Sequence, residues 1–158
     1  MWGGGSPVAA KRAGRFGLDF YAQGGGPELE GIYADAARAA GREPGFCMIP
    51  PVDMATTVFV SDDPDASWAE VGPHLLHDVQ SYAAINEGNT HTASLSTASS
   101  IEELRAEERS HRIITVDEAV AMIKEQGVLS LQPLVGGLPP EIAWRHLRTI
   151  TDEVMPRL

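Results

Sequence analysis

The chain has 158 residues, of which 43% are hydrophobic, a composition typical of a globular protein with a substantial core. Its 12 basic and 22 acidic side chains give a formal net charge of -10, which argues against nucleic acid as a partner. The lone cysteine, Cys47, excludes an internal disulfide and a cysteine-based zinc site, and no apolar run reaches the length of a membrane span, so a cytoplasmic protein without a membrane partner is expected.

The first forty residues predict two helices with a strand between them. Ser6 is typical of a helix N-cap and Pro7 of a first helical residue, so a helix is predicted over 7–16. Residues 18–22 predict a short strand, and the loop "QGGGP" leads from it to the second helix. An apolar face predicts that helix, since apolar side chains recur at helical spacing over Leu29, Ile32, Tyr33, Ala36, Ala37 and Ala40. The helix is predicted to end at Gly41.

The middle of the chain predicts a loop, a strand and a long helix. Prolines predict that residues 44–55 are a loop, whereas residues 56–60 are β-branched and apolar and predict a strand. Asp63-Pro64 is typical of a helix start, and Gly72-Pro73 is expected to break or kink that helix. The polar residues 86–100 predict an exposed loop.

The last third predicts further helices and one more strand. Two capping boxes, Ser100-Ile-Glu-Glu103 and Thr115-Val-Asp-Glu118, indicate helix starts. Residues 128–132 predict the third strand, followed by the turn "GGLPPE" and a helix with the apolar stripe Ala143, Leu147, Ile150 and Val154.

Strands that alternate with helices predict an α/β protein with parallel strands and surrounding helices. No linker divides the chain, so a single domain over 1–158 is expected.

The segment "GGGSP", residues 3–7, has the chemistry of an anion cradle. A helix N-terminus presents free backbone N–H groups and a positive dipole end, and glycines let a phosphate approach the main chain. The alternative is that three glycines form only a flexible start or an engineered scar. The residues alone leave both interpretations open.

The segment "LQPLVGGLPPE" is a second candidate, because loops after the carboxyl ends of parallel strands are where α/β proteins place ligands. A tight strand-to-helix connection that needs Gly and Pro only for geometry explains it equally well. His74 and His77 lack a third ligand at any recognisable spacing, so no metal site is predicted, and His91, His111 and His146 show no partner pattern.

Nucleophilic chemistry has little support in the sequence. No Gly-x-Ser-x-Gly elbow is present to place a serine nucleophile, and Cys47 lies in a proline-flanked segment without a neighbouring histidine. Cys47 is therefore predicted to be passive, and no catalytic residue is assigned.

Four segments together resemble the C-terminal portion of the luciferase-like monooxygenases, the bacterial-luciferase family of flavin and deazaflavin enzymes. They are "GGGSPVAAKRAGRFGLDFYA", "IYADAARAAGREP", "VFVSDDPDASWAEVGPHLLHD" and "LQPLVGGLPPEIAWRHLRTITDEVMP", and the first and last are the most specific. The resemblance implies a (β/α)8 TIM barrel of which this chain supplies the C-terminal half, without the N-terminal half. It also implies that Gly4, Gly5 and Ser6 contact the cofactor, FMN or a deazaflavin coenzyme.

The resemblance implies an oxidoreductase that, when complete, acts on a small-molecule substrate with a flavin cofactor. Half a barrel lacks the walls that hold the flavin ring, so weak or absent FMN binding and no activity are expected of this part alone. It also exposes a strand edge and an apolar face, which predicts a homo-oligomer. The alternative is a non-enzymatic half-barrel module that dimerises or complements another chain.

Overall fold

The computed structural model describes residues 1–51, 54–85 and 94–158, which form a mixed α/β protein with six α-helices and two small parallel sheets. The α/β class with parallel strands is thereby confirmed, whereas the half barrel and the single domain stay predictions. The described residues cluster into two compact units, one within 1–54 and one built from 55–85 and 94–158. Within the described ranges, no helix combines the length and the apolar character needed to cross a bilayer.

The first unit is a three-stranded parallel sheet with two connecting helices. Its strands are ordered β1-β2-β3, and Phe20 of the central strand pairs with Trp2 on one side and Cys47 on the other. In chain order the elements are β1 (Trp2–Gly3), α1 (Pro7–Phe16), β2 (Phe20–Tyr21), α2 (Glu28–Ala39) and β3 (Cys47–Met48).

Helices α1 and α2 pack closely at Gly14. A Cβ atom at this position would collide with the carbonyl oxygen of Tyr33 and lie 2.8 Å from the backbone nitrogen of Ala37. The Tyr33 ring stacks on Phe20 of β2, with ring centroids 5.9 Å apart, and its hydroxyl accepts a hydrogen bond from Gly45 N–H at 2.9 Å. One aromatic side chain therefore joins the helix pair to the sheet.

The structure confirms the two predicted helices of this unit and corrects the loop predicted over 44–55. Cys47–Met48 is a strand, because β2 supplies a parallel neighbour for it. The backbone N–H of Phe20 donates to the carbonyl of Phe46 at 2.9 Å, and that of Ala22 donates to Met48 at 2.8 Å. Strand formation here depends on pairing and not on local sequence preference.

The second unit contains a two-stranded parallel sheet and four helices. Strands β4 and β5 pair in register from Thr57 with His111 to Val60 with Ile114. In chain order the elements are β4 (Thr57–Val60), α3 (Pro64–Ile85), α4 (Ile101–Glu107), β5 (His111–Ile114), α5 (Val116–Gln126) and α6 (Pro140–Thr149), and a π-helical turn (Ile150–Val154) and a 3-10 turn (Met155–Arg157) follow α6.

Strand β4 is buried on both faces. Phe59 packs in a cluster with Trp68 and Leu75 of α3, whereas Val58 and Val60 belong to a second cluster that includes Ala119 of α5. Successive side chains of a strand point to opposite faces, so one apolar run serves two cores. This double burial explains why residues 56–60 were recognisable as a strand.

The strand predicted over 128–132 is wrong, and the parallel partner of β4 is β5. In that segment only the carbonyl of Ser130 joins the sheet, accepting a hydrogen bond from Val58 N–H at 2.9 Å. Pro133 follows directly and has no N–H to extend a ladder. The segment thus runs beside β4 without forming a strand.

At Gly72-Pro73, where a break or a kink is predicted, the helix does not break, since α3 continues from Pro64 to Ile85 with Pro73 inside it. Buried Val71, Leu75 and Val79 hold the helix against the core on both sides of the proline. Tertiary packing therefore outweighs the local cost of a missing hydrogen bond. Of the exposed loop predicted over 86–100, residues 86–93 lie outside the described residues. Residues 94–100 are a loop as predicted, but the predicted exposure is wrong at Ser96 and Ala98, which are buried.

The helix starts predicted by the two capping boxes are confirmed, as a complete box at Thr115 and as an N-cap at Ser100. Thr115 and Glu118 form a reciprocal capping box, in which Glu118 N–H donates to the Thr115 hydroxyl and Thr115 N–H donates to the Glu118 carboxylate. The hydrogen bond from the Thr115 backbone N–H, and secondly the one from the Thr115 hydroxyl, lower the pKa of the Glu118 carboxyl. Ser100 accepts from Glu103 N–H at 3.2 Å, whereas the Glu103 carboxylate accepts from Ser99.

Candidate anion-binding site

The residues Gly4, Gly5 and Ser6 connect β1 to the N-terminus of α1, and Gly5 and Ser6 are exposed. The Ser6 hydroxyl accepts from Ala9 N–H at 3.3 Å, so Ser6 is the N-cap that its sequence position predicts. Pro7 has no N–H, and the Val8 N–H has no acceptor within the described part of the chain. The turn therefore presents an uncommitted donor at the positive end of the helix dipole.

Two of the glycines in this turn have a structural reason: the backbone conformation of Gly4, and the close approach of Gly5 to a second glycine loop, which follows β2. Gly4 has a φ of 139°, a conformation that other residues rarely adopt. A Cβ atom on Gly5 would lie 3.1 Å from the carbonyl oxygen of Gly24, and one on Gly25 would lie 3.1 Å from the carbonyl oxygen of Gly5. The two loops leave neighbouring parallel strands and meet backbone to backbone.

The sequence predicts "QGGGP", residues 23–27, only as a connection, and its contact with Gly5 is not predicted. A usable signal was present, because the loop follows a predicted strand and the carboxyl ends of adjacent parallel strands meet at one sheet edge. The same loop borders a cavity of about 500 Å³ whose lining includes Pro27, Glu30 and Ile49.

Cys47 lines this cavity and is half-buried. Burial, and secondly the charge of Glu30, raise the pKa of its thiol above the usual value. A raised pKa leaves less thiolate at neutral pH, which supports the prediction of a passive residue.

The structure explains the glycines of "VGGLPPE" by packing. Residues 135–137 form a 3-10 turn, with φ of 55° at Gly136, and a Cβ atom there would collide with the carbonyl oxygen of His74. The ring Nδ1 of His74 lies 3.0 Å from the carbonyl oxygen of Gly136. The described residues 128–134, which lead into this turn, form no strand, so the premise of a ligand loop at a strand end is absent here.

The histidines show partners that the sequence did not reveal. His111 is buried on β5, with Nε2 3.1 Å from the Asp78 carboxylate and Nδ1 2.9 Å from the Ser110 hydroxyl. A carboxylate only accepts, so Nε2 carries the proton and the Ser110 hydroxyl donates to Nδ1. Ser110 is 1% exposed, so this chain of hydrogen bonds stabilises the second unit and offers no reachable nucleophile.

Two further polar atoms are buried near these elements, the Thr57 hydroxyl and one carboxylate oxygen of Glu107, and neither has a partner within the described residues. Burial lowers the pKa of His111, although Asp78 and Glu107 both act to raise it. Among residues 1–51, 54–85 and 94–158 no group of three or more His, Cys, Asp or Glu side chains is arranged to hold a metal ion.

Comparison with known proteins adds no family to this description. No protein-family model matches the chain, and no match was found among curated proteins. The class that the fold establishes is a mixed α/β protein with small parallel sheets.

Proposed function

We propose that this chain is the C-terminal portion of a luciferase-like, flavin- or deazaflavin-dependent oxidoreductase, and that the turn Gly4-Gly5-Ser6 holds part of the cofactor phosphate. The observation that carries the proposal is the meeting of two glycine loops beside the exposed N-terminus of α1. Backbone donors at such a position favour a phosphate group without any cationic side chain.

The residues present fit a phosphate in two respects. The Val8 N–H is uncommitted in the described chain, and Gly5 and Ser6 are exposed. The bound cofactor would supply hydride transfer or oxygen chemistry, while these residues bind and orient its phosphate. No residue of the chain is assigned to the chemical step.

We expect the full chain to bind FMN weakly. Ser6→Asp should weaken that binding further by about fivefold or more, because a negative charge at the helix N-terminus competes with the phosphate and costs about 1 kcal/mol or more of binding free energy. Aspartate is as good an N-cap as serine, so α1 is retained. Fluorescence anisotropy of FMN, with riboflavin as the analogue that lacks phosphate, measures the effect.

The matched control is Ser100→Asp, the same change at the N-cap of α4. It should leave FMN binding unchanged. Equal affinity for FMN and riboflavin, or tight FMN binding that survives Ser6→Asp, would contradict the phosphate site. A colourless protein that is an oligomer by light scattering and binds neither flavin would favour the non-enzymatic module instead.

A further inference from the structure

The cavity of the first unit that Cys47 lines lies at the carboxyl ends of two neighbouring parallel strands. Its lining includes Gly25 and Gly26 from the loop after β2, and Ile49, Pro50 and Pro51 from the segment after β3. This edge of a parallel sheet is where α/β proteins place their ligands. The volume of about 500 Å³ falls within the range of small-molecule sites. Position and size together make this cavity a candidate ligand site.

Most of the cavity lining is apolar. Cys47 and Ile49 are two positions apart, and both pack against the core cluster that contains Leu29 of α2. Pro27, the residue before α2, contributes to the lining from the helix side. Because burial, and secondly the charge of Glu30, raise the pKa of the Cys47 thiol, that group is uncharged at neutral pH. The lining therefore favours a ligand with an apolar body.

Glu30 carries the one charged side chain among the described residues that line the cavity. Its negative charge acts on the Cys47 thiol, which places the carboxylate near the cavity wall that β3 forms. Glu28 adds a second carboxylate in the same first turn of α2. Both acids repel an anion at this helix N-terminus, whereas a cation is attracted. The charge of the cavity therefore complements a positively charged ligand.

We propose that this cavity binds small organic cations, whose apolar body lies against Ile49 and whose positive end pairs with the Glu30 carboxylate. The site belongs to the first unit alone. It does not depend on the flavin proposal, because none of Gly4, Gly5 and Ser6 lines the cavity.

The test uses benzylammonium as the probe, with the full chain and the methyl resonances of Met48 and Ile49 followed by NMR. We expect a saturable shift of both resonances, since both residues line the cavity. Benzyl alcohol should bind about threefold more weakly, because an exposed ion pair contributes modestly. Benzoate should give no saturable shift. Methylammonium should bind about tenfold more weakly or worse, because it buries little apolar surface.

The decisive variant is Glu30→Gln, which removes the charge at an exposed position and is expected to fold. It should abolish the preference for benzylammonium over benzyl alcohol. Glu43→Gln is the matched control, since it makes the same change on an exposed residue outside the cavity lining and should keep that preference.

Three results would overturn the proposal. The first is a titration in which benzylammonium gives no saturable shift. The second is equal affinity for benzylammonium and for benzyl alcohol, benzoate or methylammonium. The third is a preference for benzylammonium that survives Glu30→Gln or that Glu43→Gln removes as well.

Discussion

We expect Gly14→Ala to lower the free energy of unfolding of the first unit by about 2–3 kcal/mol, the upper part of the usual range for forcing extra volume into a packed contact. The added methyl group would collide with the carbonyl oxygen of Tyr33 and crowd Ala37 N, both backbone atoms of α2. Neither atom moves without shifting the whole helix. Helix propensity acts in the opposite direction and favours alanine by about 1 kcal/mol. The sign of the change in the free energy of unfolding therefore shows whether the close contact or helix propensity is larger.

The control is Gly31→Ala, which lies in the neighbouring helix α2 and has open space at its Cβ position. It should raise the stability by about 0.5–1 kcal/mol through helix propensity alone. Hydrogen exchange of the amides in α1 and α2 reports this unit separately. If both variants raise protection equally, the close helix contact at Gly14 is wrong.

The second large effect concerns His111 and the pH dependence of the second unit. Burial holds the pKa of His111 below its usual value of 6.5 in the folded state. As the pH falls, the unfolded chain therefore takes up the proton first. The stability that the neutral, buried imidazole contributes is complete above pH 6.5 and is lost as the pH falls through the lower folded-state pKa.

We expect the wild-type protein to lose up to about 1.4 kcal/mol of stability per pH unit from this group within that window, the limit for a single proton. Carboxylates add their own pH dependence at lower pH, so the informative quantity is the difference between variants. In His111→Gln that slope should be shallower just below pH 6.5, as measured by urea unfolding at several pH values.

The same variant should be less stable at pH 8 by about 1–3 kcal/mol, because buried Ser110 loses its acceptor. His77→Gln is the control, since His77 is exposed on the same helix as Asp78. A wild-type slope that persists in His111→Gln would show that His111 does not titrate as described. Equal changes in both variants would show a general effect of net charge.

Local signals predicted several helix starts and ends. Ser6, Ser100 and Thr115 cap helices in the structure as their sequence patterns indicated, because a cap is a contact between residues only a few positions apart. Strand β4 was also recognised, since its burial on both faces requires a continuous apolar run. The proposed phosphate site at Gly4, Gly5 and Ser6 came from the same kind of local signal.

Long-range contacts decided what the sequence could not. β3 and β5 are strands because each has a parallel partner, whereas residues 128–132 are apolar enough for a strand but make one backbone hydrogen bond to β4. The meeting of Gly5 with Gly24 depends on two strands that are separate in sequence. No local pattern carries such information.

The sequence by itself thus determined the α/β class, the capped helices and the glycine turn before α1. Only the tertiary structure decided which strands pair, that α3 continues through Pro73, and that His111 and His146 have partners on other elements. The physical reason is the range of the interactions. Caps and apolar periodicity act within one or two turns of chain, whereas strand pairing and buried polar contacts join residues tens of positions apart, whose closeness exists only after folding.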